Sequence, residues 1–262
     1  MQVLVFSNQK GGVGKSTLSV LLAHWLAEMN GARVGVIDLD TQCNCSKFLH
    51  RFDSGMEAAA LFESQPVRVP EVAASSIALF RGSKRLADLE LAKPEAVIPL
   101  FRKHVALLAQ AFDYVVIDTP PALGLRMSAA LIAASRVVCP IELEEYSIHG
   151  VTDMLNTIFG VQKRHNPQLQ LAGLAANRFN PHSVRQKAAL HDLVLHYSDF
   201  VLPAKISTRS AIPEGLAAGV PVWQVAKSAA REASAEVLQV FALLKQRMEP
   251  TAATEVMGEG AS

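Results

Sequence analysis

The sequence predicts an α/β fold, a doubly wound, mostly parallel sheet with helices on both faces. Three apolar runs point to it, each delivering the chain into a polar turn. Val3-Leu4-Val5-Phe6 leads into residues 10–17, which read K-G-G-V-G-K-S-T. Val34-Gly35-Val36-Ile37 leads into Asp38-Leu39-Asp40, and Tyr114-Val115-Val116-Ile117 ends in Asp118-Thr119-Pro120-Pro121. Continuous apolar runs suit strands buried on both faces of a parallel sheet. Strands alternating with helical periodicity imply crossover helices that cover that sheet.

The elements follow in chain order. A strand over 2–7, a loop over 8–15 and a helix over 16–29 open the fold. In that helix Leu18, Leu21, Leu22 and Trp25 recur at the spacing of one helical face. His24 lies beside the stripe and reads as a surface histidine. A strand over 33–38 follows. Residues 45–92 carry weaker signals, short helices and a strand near 77–80. A helix over 95–110 precedes the strand ending at Asp118. Then come a helix over 123–134, a strand over 137–139, a long helix over 146–164, a strand over 169–176 and a helix over 182–197. A short helix over 208–218 is closed by Gly219 and Pro221. A last helix spans 226–248. No Gly/Ser/Pro-rich linker, repeat or low-complexity tract divides 1–248, which reads as one domain. Residues 249–262 are small and polar without apolar periodicity, and read as a disordered tail.

The glycine-rich turn carries the most chemistry. Successive backbone N–H groups in such a turn, together with a helix N-terminus, form a cradle for anions. Lys15 supplies a point charge for the β- and γ-phosphates, and the Ser16 hydroxyl suits Mg²⁺. The chain is therefore expected to bind a nucleoside triphosphate. Gln9 stands where the standard phosphate-loop pattern has its first glycine, and a second lysine, Lys10, follows it. On the second strand Asp38 and Asp40 share a side at the C-terminal end, where parallel sheets bind ligands. Asp118 ends the third run as a Walker B carboxylate for the Mg²⁺ shell. Pro120 and Pro121 disfavour the competing role of helix cap.

These motifs resemble those of the deviant Walker A ATPases, the ParA and MinD group. The likeness is greatest to the short ParA-type partition ATPases of IncP-type plasmids. It is carried by Asn8-Gln9-Lys10-Gly11-Gly12-Val13-Gly14-Lys15-Ser16-Thr17, by Ile37-Asp38-Leu39-Asp40-Thr41-Gln42-Cys43-Asn44 and by Asp118-Thr119-Pro120-Pro121. Residues 140–150, P-I-E-L-E-E-Y-S-I-H-G, and 217–223, A-A-G-V-P-V-W, add to it. The resemblance spans roughly 1–248 and implies a slow, partner-stimulated, Mg²⁺-dependent ATPase using ATP and ADP. It assigns Lys10 as the signature lysine that reaches the partner's phosphates across an ATP-sandwiched homodimer, and Lys15 as the phosphate-loop lysine. Gly11, Gly12, Val13, Gly14, Ser16 and Thr17 complete the nucleotide loop. Asp40 orients the attacking water, Ser16, Asp40 and Asp118 serve the metal, and Asn177 contacts adenine. Thr41 and Cys43 replace the proline and glycine that usually follow the second aspartate, altering the stiffness of this switch I segment.

Composition bounds the remaining choices. Net charge is +1 over 262 residues, but 161–231 holds nine basic residues against three acidic ones. A basic surface binds phosphate backbones through counterion release, and the resemblance implies coating of non-specific double-stranded DNA. Lys205, Arg209, Lys227 and Arg231 are the candidates, with Lys227 and Arg231 expected on one helix face. Aromatic residues are 6% of the chain and sit mostly in apolar runs. Backbone recognition is therefore expected, not base reading. The resemblance further implies a ParB-type centromere-binding partner, and a cytoplasmic, nucleoid-associated location. No membrane association is expected, since no run is long enough to span one and the start of the sequence reads as a strand, not a signal peptide. A MinD-like membrane cycler, a protein-cargo positioner and a non-catalytic adaptor are the competing readings. Cys43, Cys45 and Cys139 fit reduced thiols better than a zinc or iron–sulfur site. Cys43 lies near the expected pocket, where its alkylation is expected to slow turnover. Trp223 reads as a packing aromatic, and Glu142, Glu144 and Glu145 as a solvated acidic loop.

Overall fold

The computed structural model describes residues 1–145 and 148–248. Eight strands form one sheet in the order β3-β4-β2-β5-β1-β6-β7-β8, and every neighbouring pair is parallel. They are β1 (Gln2–Phe6), β2 (Arg33–Asp38), β3 (Asp53–Glu57), β4 (Ser76–Arg81), β5 (Tyr114–Asp118), β6 (Arg136–Glu142), β7 (Gln170–Phe179) and β8 (Val201–Ser207). The helices are α1 (Lys15–Asn30), α2 (Asn44–Phe48), α3 (Pro94–Leu107), α4 (Leu125–Ala133), α5 (Ile148–Arg164), α6 (Val184–Tyr197), α7 (Ala211–Ala217) and α8 (Ser228–Met248). The first two residues of the helix expected over 146–164, and the tail 249–262, lie outside the described residues.

Strand alternation divides the core into two layers. Val3, Val5, Val115 and Ile117 face α3, α4 and α5. Leu4, Phe6, Val34, Val36 and Val116 face α1 and α8. The chain passes from β5 to β6 across β1, so strand order reverses beside β1 and opens a crevice at its C-terminal end. The glycine-rich turn occupies that crevice.

Two strands went unpredicted, and both are edges. β3 reads D-S-G-M-E, with Gly55 at φ 79°, and β8 carries Pro203. Edge strands tolerate polar residues, glycine and proline because one side of their ladder needs no partner. A further correction concerns His24. It is buried, not on the surface, and its Nδ1 lies 2.8 Å from Glu28 Oε1. α1 is buried round most of its circumference, with Ser19 and Ala23 as well as the expected stripe inside. Phe52 packs edge-on against the His24 ring. Trp223 is partly buried as a packing aromatic, and its indole N–H donates to Glu28 Oε2.

Candidate nucleotide and magnesium site

The loop between β1 and α1 is shaped by its glycines. Gly12 and Gly14 adopt φ of 79° and 96°, in the left-handed region that side chains avoid. Gly14 also leaves room for Asn177, since a Cβ there would collide with the Asn177 amide. That amide donates to Val13 O at 2.8 Å, and Arg178 Nη1 donates to Gly12 O at 3.0 Å. The end of β7 thus braces the outer wall of the loop. Asn8 braces the inner side, receiving the Lys10 N–H and donating to Pro140 O. Lys15 is buried, and its ammonium donates to Lys10 O at 2.8 Å, spanning the loop.

Asp118 and Asp40 lie near the Lys15 ammonium, and Asp38 lies near Asp118. Asp118 is fully buried, and neither of its oxygens has a hydrogen bond of ordinary geometry. Burial, followed by the nearby Asp38 charge, holds its carboxyl well above the usual range, with Ser16 and Lys15 pulling the other way. Burial likewise raises Asp38, which nevertheless accepts from Ser46 N–H, Ser46 O–H and Asp40 N–H. Asp38 is therefore a scaffold for the segment after β2, a role the sequence reading did not give it. Asp40 accepts the Gln42 N–H, and its own carbonyl receives Cys43 N–H. Burial depresses the Lys15 ammonium, while Asp118 and Asp40 oppose that.

Two adjoining cavities meet at Gly12, Gly14 and Thr17. One, of about 410 Å³, is lined by Lys15, Ser16, Asp40 and Gln42. The other, of about 300 Å³, is lined by Asn177, Arg178, Thr208, Ile212 and Pro213. The first suits phosphates and metal, and the second a flat base. Lys10 lines a third cavity, of about 340 Å³, with Glu142 and Asp153. An orphaned buried carboxylate beside the Ser16 hydroxyl is a hard-oxygen donor set of the kind Mg²⁺ takes. Among the described residues no cluster of His, Cys, Asp or Glu forms a separate metal site, and all three cysteines are free. The Cys43 thiol is pushed up by burial and by Asp38 and Asp40, which lowers its reactivity.

Residues 1–171 match the family model described as an AAA domain. The chain is 39% identical to protein IncC of Escherichia coli, over 95% of this chain and 70% of that one. It is 30% identical to the sporulation initiation inhibitor protein Soj of Bacillus subtilis, covering 84% and 90% of the two chains. The chain is a ParA-type partition ATPase. Among solved structures, cobyrinic acid a,c-diamide synthase of Mycobacterium smegmatis with bound ATP analogue and magnesium superposes on this ATPase at a TM-score of 0.68. The identity is 26%, over 87% and 97% of the two chains.

The DNA-face candidates scatter more than the sequence implied. Arg209 pairs with Glu232 and Glu236, and Lys227 with Glu214. Glu232 and Glu236 lie just beyond the basic window, so the sequence count missed them. α8 begins at Ser228, so Lys227 stands just ahead of the helix that carries Arg231. Lys205 is exposed over the Phe179 ring, and Arg231 is exposed on α8. Within the acidic stretch Glu144 is exposed as expected and accepts from Gln186, whereas Glu142 is partly buried and pairs with Arg178. The side chain of Glu145 lies outside the described residues. Arg178, Thr208 and Pro213 carried no motif signal, because their place at the site comes from β7, β8 and α7 meeting at the crevice.

Proposed function

We propose that this ATPase works as a nucleotide-switched DNA partition protein. Its ATP-bound homodimer would hold non-specific double-stranded DNA, and a ParB-type partner would trigger release by stimulating hydrolysis. The observation that carries the reading is the buried, unpartnered Asp118 carboxylate set beside Ser16 under a glycine-rich loop with two lysines. Ser16 and Asp118 would hold Mg²⁺, with Asp40 at the margin of its shell. Bound there, the ion would supply charge neutralisation at the β- and γ-phosphates. The chain's own groups do the rest. Backbone N–H groups of the loop bind the phosphates, Lys15 and the partner's Lys10 offset charge developing on the transferred phosphoryl, and Asp40 orients water. Asn177 and the cavity beyond it favour adenine.

Lys10→Ala tests the dimer reading. The variant should bind ATP within a few-fold of the parent yet lose partner-stimulated turnover. Normal stimulated turnover would defeat the role given to Lys10. A membrane cycle finds no support in α8, whose apolar residues Ala233, Val237, Val240, Phe241 and Leu244 are buried against the sheet. No helix among the described residues is long and apolar enough to cross a membrane.

A further inference from the structure

Arg126 stands in the first turn of α4, and its guanidinium is buried. Nε donates to Glu90 Oε1 at 2.8 Å, and Nη1 donates to the backbone carbonyl of Leu39 at 2.9 Å. Glu90 belongs to the 3-10 stretch Lys84–Leu91, and its other oxygen accepts the Leu125 N–H at the open end of α4. Gly124 permits this approach, since a Cβ there would collide with the Glu90 carboxylate.

The Leu39 carbonyl belongs to the peptide that carries Asp40. The N–H of that same peptide donates to Asp38 Oδ1, and the Leu39 N–H donates to the Asp118 carbonyl. Asp40 is therefore gripped from two sides, by the β2 carboxylate and by a cation from the helix that follows Asp118. Charge-assisted hydrogen bonds of this kind are short and directional. Burying a guanidinium is costly, and its carboxylate partner Glu90 keeps about a third of its side chain in solvent, which screens the pair. Fold stability alone thus gives little reason for the arrangement.

We propose that Arg126, held by Glu90, is a positioning residue for ATP hydrolysis that fixes the Asp40 backbone and couples it to the segment after Asp118. The proposal rests on the reading of Asp40 as the residue that orients water.

The test compares Arg126→Lys, the double variant Glu90→Gln/Arg126→Met, Asp40→Asn and Arg33→Gln. Arg33 pairs with Asp113 at the far end of β2 and serves as a remote ion-pair control. Single-turnover ATP hydrolysis with magnesium, affinity for a fluorescent ATP analogue and Tm are measured for each. The double variant should lose about 10- to 100-fold in rate, the range expected for a misplaced reactive group. Its nucleotide affinity should stay within about threefold and its Tm near the parent's. Arg126→Lys, able to reach Glu90 or Leu39 but not both, should fall between, and Arg33→Gln should match the parent. A parental rate in the double variant, with Asp40→Asn inactive, overturns the proposal. So does loss of rate only in step with loss of affinity and Tm. A parental rate in Asp40→Asn instead overturns the reading of Asp40 beneath it.

Discussion

Asp118 concentrates the tension of the site in one side chain. A fully buried carboxylate with no hydrogen bond of ordinary geometry and Asp38 nearby, against only the pull of Ser16 and Lys15, destabilises the nucleotide-free fold. Asp118→Asn should therefore raise Tm measured without nucleotide or magnesium, by about 3 °C for each kcal/mol relieved, while hydrolysis is lost. A lowered Tm would mean that the carboxylate stabilises the fold through Lys15. The acidic residues of the site were legible because each ends an apolar run, but the division of labour was not. Asp38 and Asp40 look alike in D-L-D, and only the bonds from Ser46 and Gln42 separate scaffold from candidate reactive group. His24 offers a second test at this scale. Burial holds it below the ordinary value of 6.5, with Arg51 adding to the depression and Glu28 opposing it. The unfolded chain thus binds more protons just below pH 6.5, so stability falls as pH drops through that value toward the folded pKa. Urea midpoints should show this slope in the parent and a smaller one in His24→Gln. Equal slopes would remove His24 as a cause.

Among elements, β1, β2 and β5 were legible because central parallel strands are continuously apolar, and the helices because their stripes repeat at 3.6 residues. β3 and β8 were not, since edge strands need neither feature. Strand pairing decides them instead, β3 against β4 and β8 against β7. The loop joining β1 to α1 was legible as a glycine pattern, but its bracing by Asn177 and Arg178 is tertiary and lay beyond sequence reach. That bracing makes Gly14 the most sensitive position of the loop. Gly14→Ala combines an unfavourable φ with a collision at Asn177. Calorimetric titration should show ATP affinity reduced at least tenfold, with the fold retained by circular dichroism. Unchanged affinity would show that the loop adopts another shape when it binds.

For the whole molecule, the near-neutral net charge hides an uneven distribution that the ion pairs partly undo. Glu214, Glu232 and Glu236 engage Lys227 and Arg209, so Lys205 and Arg231 are the better anchors for a phosphate backbone. Binding through them would be sequence-independent and steeply salt-dependent. The measurement that tests the switch most directly is binding to random-sequence duplex DNA with ATP, with ADP and without nucleotide, across a salt series. Binding is expected with ATP, and not with ADP or without nucleotide, and should weaken as salt rises. The log–log salt slope should shrink by about two in Lys205→Ala/Arg231→Ala, near one per lost phosphate contact. Equal binding in all three nucleotide states, or none in any, would contradict the switch.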